Sequence, residues 1–235
     1  MKLFQGIRQQ LIQEKNVKNY LLYAIGEILL VMIGITLAFQ ADNWNEDRVK
    51  KNAEIKTYEN IRNQILGDKE LIQNQIDYNN NYMDQFEYAR KIIMANDRTQ
   101  MDTLGVIVGN LTNYSDFDRE GNIYETLVNS GEIQLLRNQR IVDRIRVLEQ
   151  RYNYINRMES IHYDVMIDYT ARSITPVINF ASAEVVKPEL IFTHEFQNLI
   201  FLLERIMREK DNTYLSAINE IDGILALIDE ELKPN

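Results

Sequence analysis

Residues 20–39 read YLLYAIGEILLVMIGITLAF, an apolar run broken by a single charge, Glu27. At about 1.5 Å per residue this is roughly 30 Å of helix, the thickness of a bilayer core. In hydrocarbon a backbone is satisfied only as a helix or a closed barrel, so the run is read as a transmembrane helix. An acid there costs about 3 kcal/mol unless it is protonated, paired or turned into a protein interior. The span is therefore expected to pack against something. A cleaved signal peptide is the competing reading, with Thr36, Leu37 and Ala38 as the small-residue site. Its apolar core is normally shorter, and an acid at mid-core does not help it.

Charge gives the orientation. Lys2, Arg8, Lys15 and Lys18 precede the span against Glu14, whereas 33 of the 35 acidic residues follow it. The short basic side belongs in the cytoplasm and the large acidic part outside. The expected organisation is a basic cytoplasmic segment over residues 1–19, a span over 20–41 and an extracytoplasmic, periplasmic domain over 42–235, in a bacterial inner membrane. Tyr20, Tyr23 and Trp44 stand where interface anchors would. Leu3, Phe4, Ile7 and Leu11 have helical spacing, which suits either a short amphipathic helix on the inner leaflet or an ordinary basic flank. About 19 residues inside are too few for a packed output module.

The portion after the span is long enough for one real core. Nine Gly and three Pro in the chain leave room for long helices. The acidic balance argues against nucleic acid as a partner. With no cysteine there is no disulfide, thiol nucleophile or thiolate metal site.

Steps of three, four and seven join Ile55, Tyr58, Ile61, Ile65, Ile72, Ile76, Met83, Phe86 and Ile93, a helix stripe continuous with the span. Asn79 falls in that seam, as a register-fixing polar residue or as a solvated interruption. Turn residues dominate 97–121, around a short apolar helix near 104–111. Residues 122–129 form a short helix stopped by Ser130-Gly131. A second long helix covers 139–173, its face carrying Ile141, Ile145, Leu148, Tyr152, Ile155, Met158, Ile161 and Val165, and Thr175-Pro176 ends it. A loop follows to Lys187-Pro188, then a last long helix over 194–232 with Phe196, Ile200, Leu203, Ile206, Leu215, Ile218, Ile221 and Leu225. The expected fold is all-α: one transmembrane helix continuing into a helical bundle, with no sheet.

Several groups are candidate sites. Ala24, Glu27, Val31, Gly34, Ala38 and Ala41 share one stripe of the span, and Gly34 with Ala38 forms a small-xxx-small pair that lets helices approach closely. Glu27 then sits at an intramembrane interface, as a structural protonated carboxyl or as a proton-linked group. Asp116, Asp118, Glu120 and Gly121 imitate the start of a calcium loop, but Leu127 stands where the bidentate Glu belongs. That makes them weak metal candidates, and an Asp- and Gly-rich turn is the plainer reading. Glu159 and His162 have the Glu-x-x-His spacing of di-iron bundles, but the only other histidine, His194, lacks its Glu. His162 is accordingly expected at a helix surface or bundle edge. Tyr152, Tyr154, Tyr163 and Tyr169 line either a ligand groove or the polar edge of a core.

Two segments resemble a known family. In residues 23–46, Ala24-Ile25-Gly26-Glu27 opens the apolar run and Asn43-Trp44-Asn45-Glu46 closes it. In residues 123–152, Tyr124-Glu125-Thr126-Leu127 leads to Ser130-Gly131-Glu132-Ile133, then to Leu136, Asn138 and Arg151-Tyr152. Together they resemble an uncharacterised (DUF-type) family of single-span bacterial envelope proteins. The resemblance implies a short cytoplasmic N-terminus, one span and an α-helical extracytoplasmic domain, and no particular activity.

No phosphate loop, nucleophile elbow or Ser-His-Asp arrangement is present. The expected function is non-enzymatic and without cofactor: assembly of the anchored domain with itself or with another envelope membrane protein. A periplasmic sensor or ligand-binding module is the alternative, as is an accessory subunit of a proton-coupled membrane complex.

Overall fold

The computed structural model describes residues 17–119 and 121–233. Its elements are α1 (Val17–Met94), a 3-10 turn (Arg98–Gln100), α2 (Met101–Asn110), α3 (Ile123–Ser130), a second 3-10 turn (Glu132–Leu135), α4 (Gln139–Val165), a π-helical turn (Met166–Thr170), α5 (Ala171–Ile174), the two-residue strands β1 (Ile178–Asn179) and β2 (Glu184–Val185), α6 (Pro188–Ile191) and α7 (His194–Glu231). The all-α expectation holds. The chain divides into two units, Met1–Ala53 and Glu54–Asn235.

In the first unit α1 carries the apolar run. It is long and apolar enough to cross a membrane, and none of its most apolar 18 residues is buried. The Thr36 hydroxyl donates to the Met32 carbonyl at 2.8 Å, so this polar group is satisfied within its own helix. The amphipathic pattern of Leu3, Phe4, Ile7 and Leu11 lies outside the described residues.

The second unit is built on α1, α4 and α7. Bonds from Arg62 to Asp229, Lys69 to Asp222 and Arg90 to Glu204 climb α1 while descending α7, so these helices are antiparallel. Asn138 to Tyr58 and Tyr152 to Asp68 climb both helices, so α4 runs parallel to α1.

Each helix buries a seam of three- and four-residue steps, the stripe a helix turns to its neighbours. On α7 it is Ile200, Leu203, Met207, Lys210, Tyr214, Ala217, Ile221, Ile224 and Ile228, all essentially inaccessible. On α4 it is Ile141, Ile145, Leu148, Tyr152, Ile155, Glu159 and His162, and on α1 Tyr58, Ile61, Ile65, Asp68, Ile72, Ile76 and Asn79. The expected faces need correction at a few positions. Ile161 and Leu215 are exposed, and His162 and Tyr214, one position away, take the inward places.

The core falls into two apolar clusters. One gathers Tyr58 through Ile76 with Ile141 through Ile155 and Tyr214 through Ile228. The other gathers Phe86 through Ile93 with α2, Val177, Ile178 and Phe196 through Met207. Buried polar residues occupy the sequence between them on all three helices: Asn79, then Glu159 and His162, then Lys210 and Asp211.

Caps follow the local sequence. The Asn122 side chain accepts from Glu125 N at 2.8 Å, and Gly131 closes α3 in the left-handed region at φ 76°. Residues 139–174 are helical almost as expected, but Met166–Thr170 widens into a π turn. The expected loop before Lys187 instead contains a small antiparallel ribbon, Ile178 opposite Val185 and Asn179 opposite Glu184. It exists because Val177 and Ile178 are buried in the second cluster and the chain must reverse to keep them there.

Candidate functional site

A cleft of about 340 Å³ opens beside the polar layer, walled by Tyr114, Asp116, Phe117 and Asp118 from the segment between α2 and α3, and by Asn156, Glu159, Ser160 and Tyr163 from α4. Helical spacing puts 156, 159, 160 and 163 on one face of α4. The opposite wall has no regular structure, and buried side chains hold it in place.

Lys210 is one of these. It is only 1% exposed, and its ammonium donates to the Ser115 carbonyl and lies 5.8 Å from the centre of the Tyr114 ring. Burial lowers its pKa to about 8, while Glu159, Asp116 and Asp211 oppose the shift. Glu159 is the second. Its Oε1 accepts from Phe117 N at 2.8 Å and from the Tyr214 hydroxyl at 2.5 Å. Burial raises the Glu159 pKa, and those two hydrogen bonds resist the rise. Tyr214 is also 3.3 Å from Ser115 Oγ, and burial with the adjacent Glu159 pushes its hydroxyl pKa up. The segment is thus tied through Ser115 and Phe117 to α4 and α7.

His162 stands apart. It is fully buried, packs edge-on against Tyr114 at 5.8 Å between centroids, and neither ring nitrogen has a hydrogen-bond partner. Burial, then the Lys210 charge, depresses its pKa to about 3, so the ring is neutral. The expectation of a surface or edge position is therefore corrected. Its position four residues after Met158 and seven after Ile155 puts it on the buried side of α4.

Asn79 is in the seam and fully buried. Its Nδ2 donates to Asp211 Oδ1 at 2.7 Å and to the Met207 carbonyl at 2.9 Å. It is a buried inter-helix polar contact rather than a solvated interruption.

The four tyrosines divide. Tyr152 is a core residue whose hydroxyl donates to Asp68 at 2.9 Å, Tyr163 walls the cleft, and Tyr154 and Tyr169 are exposed. Asp116 and Asp118 reach the same cleft, while Glu120 lies outside the described residues. No group of three His, Cys, Asp or Glu among the described residues is arranged to hold a metal ion. Glu159 and His162 do not act together, since one bonds toward α7 and the cleft segment while the other has no polar partner.

In the apolar stretch of α1, Glu27 and Ala24 share a shallow groove with Ile28, Val31 and Met32. The Glu27 carboxyl has no hydrogen-bond or ion-pair partner among the described residues. A Cβ added at Gly34 would meet nothing within 4 Å, and Ala38 and Ala41 are exposed. Trp44 is exposed with the Arg48 guanidinium 5.7 Å from its ring centre. The side chains of Tyr20 and Tyr23 lie outside the described residues.

Sequence reasoning missed Lys210, Tyr214 and Ser115. The first two had a signal, because counting 3-4-3-4 from Ile200 lands on both. Ser115 had none, since only the tertiary fold brings its carbonyl to Lys210.

The chain belongs to a family of unknown function (DUF6090), whose model matches residues 27–229 and so takes in most of the apolar helix and the bundle. No curated protein and no solved structure matches the chain.

Proposed function

We propose that this family member is a single-pass membrane protein that acts without catalysis, by assembling through its span with a second copy or with another envelope membrane protein. The observation that carries the reading is Glu27. It is an acid within an apolar helix, unpartnered among the described residues, on the stripe where Gly34 leaves open space. A lipid-facing acid is costly, and a helix seated on the small-residue stripe removes that cost by taking a hydrogen bond across the interface. The charge bias supports a cytoplasmic N-terminus and a periplasmic bundle at a bacterial inner membrane. Trp44, with Tyr20 and Tyr23, fits interface anchoring.

Native mass measurement and cysteine crosslinking in nanodiscs test it. Wild type should run above monomer or carry a partner, Glu27→Gln should keep the assembly, and Glu27→Leu should weaken it about fivefold, as an intramembrane hydrogen bond of about 1 kcal/mol allows. If the residue is proton-linked, Gln assembles but loses the cellular phenotype. A monomeric wild type with no co-purifying partner sinks the proposal.

A further inference from the structure

A second concave surface lies between α4 and α7, a groove of about 410 Å³ with no residue of α1 in its walls. Tyr154 and Met158 line it from α4, and Leu202, Arg205, Ile206 and Glu209 line it from α7. Helical spacing adds Arg157 and Ile161 to the Tyr154 face. Ile161 and Leu202 are 43% and 38% exposed, so their apolar surface has no cover within the bundle. The two arginines are exposed and make no ion pair among the described residues, whereas Arg144 and Arg208 of the same helices each reach a carboxylate. In a chain of net charge -9, two unpaired guanidiniums flanking one apolar groove call for carboxylates from outside the bundle.

The opposite side of the bundle carries them. On α1, Glu70, Asp77, Asn81, Asp84 and Tyr88 follow at steps of seven, four, three and four, on the side away from the buried Ile65, Ile72 and Asn79. All five are exposed, and among the described residues the three carboxylates have no cation; Asp77 accepts from the Gln73 amide at 3.1 Å. The only basic residues between Glu59 and Tyr88, Arg62 and Lys69, are paired with Asp229 and Asp222. Bonds from Asn79 to Asp211 and from Arg90 to Glu204 put residues 79–90 of α1 level with 204–211 of α7. The acidic face around Asp84 and the groove around Arg205 therefore stand at one height on opposite sides of the bundle.

We infer that the groove between α4 and α7 receives the acidic α1 face of a second copy, with Arg157 and Arg205 against Asp77 and Asp84, and Ile161 and Leu202 against Tyr88. Two bundles side by side and the same way up bring these groups together without sliding along their axes. Burial of the apolar groups favours the contact, and the ion pairs fix which faces meet and in what register. The two faces differ, so the contact is head-to-tail, and each added copy leaves one groove and one acidic face free. It joins bundle to bundle and goes beyond the pairing of spans at Glu27.

The chain has no cysteine, so introduced thiols report this contact alone. Full-length Asn81→Cys and Asn212→Cys chains are mixed in detergent and oxidised; both positions are exposed, Asn212 lying one turn beyond Glu209. The mixed disulfide should form in preference to either homodimer. Arg157→Glu with Arg205→Glu on the Asn212→Cys chain should lower its yield about tenfold, since like charges then meet. Asp77→Arg with Asp84→Arg on the other chain should restore it. Absence of the mixed disulfide overturns the inference, as does a charge reversal that fails to restore it. A product that Glu27→Leu abolishes and the arginine variants leave intact belongs to the span and overturns it too. So does crosslinking of the Asn212→Cys groove to a different envelope protein in place of a second copy.

Discussion

At the residue scale, His162 is the most exposed to test. Two unpaired nitrogens in a sealed site cost on the order of 1–3 kcal/mol, so His162→Leu should stabilise the bundle by about 1 kcal/mol. The same ring sets an acid dependence. The unfolded histidine takes its proton near 6.5, the folded one only near 3, so between these values the unfolded state binds more protons. Stability contributed by the neutral ring is complete above pH 6.5 and is lost as pH falls toward 3, by up to about 1.4 kcal/mol per pH unit. Glu159 and Asp211, raised by burial, act in the opposite sense at the acid end. Denaturation of wild type against His162→Leu across pH 4–7 isolates the term, and parallel curves would refute it. Two glycines give a second contrast. A Cβ at Gly105 would stand 2.0 Å from the Ala183 carbonyl, whereas one at Gly223 would meet the flexible end of Arg144 at 2.1 Å. Gly105→Ala should cost about 2 kcal/mol through forced backbone movement. Gly223→Ala should cost less, because the Arg144 side chain can leave Glu220 and its partly exposed pair is worth little. Thermal melts of both variants check the order.

At the element scale, the polar layer ties an irregular segment to two helices. Its buried charges are weak evidence for stability as a pair, but removing one alone strands the rest. Lys210→Met should therefore destabilise by about 3 kcal/mol and raise hydrogen exchange over residues 112–119, which lose the hold on Ser115. Glu159→Gln keeps an acceptor for Phe117 N and Tyr214 and removes the charge. The double variant should be less destabilised than the sum of the two singles, by about 1 kcal/mol. Strict additivity would show that the two charges do not support one another. Arg90 contributes a separate tie, bonding both oxygens of the buried Glu204 at 2.9 and 3.1 Å.

At the scale of the whole molecule, both apolar clusters and the polar layer lie within residues 54–235. A unit with its own core folds alone. Residues 54–235 expressed without the span should give a helical circular dichroism spectrum and a cooperative melt. A molten or aggregated product would mean that the bundle depends on the anchor. The full chain should need detergent and the fragment should not, which sedimentation shows directly.

The sequence by itself determined the long apolar N-terminal helix, the three long helices and their inward stripes, because apolar run length and an apolar repeat close to 3.6 residues are local properties of the chain. It also determined the stop at Ser130-Gly131, which acts within one turn. What Glu159, His162 and Lys210 do was decided only by the tertiary structure. Their seam positions were countable, but a polar residue in a seam is either a solvated interruption or a buried contact, and periodicity cannot separate the two. The choice depends on what arrives opposite. Here an irregular segment more than forty residues from Glu159 in sequence, and about ninety-five from Lys210, supplies a backbone N–H for one and a carbonyl for the other. No polar partner arrives for His162, against which Tyr114 of the same segment packs edge-on. The ribbon at Ile178 has the same origin: two-residue strands carry no periodic signal, and only the cluster they close makes the chain turn there.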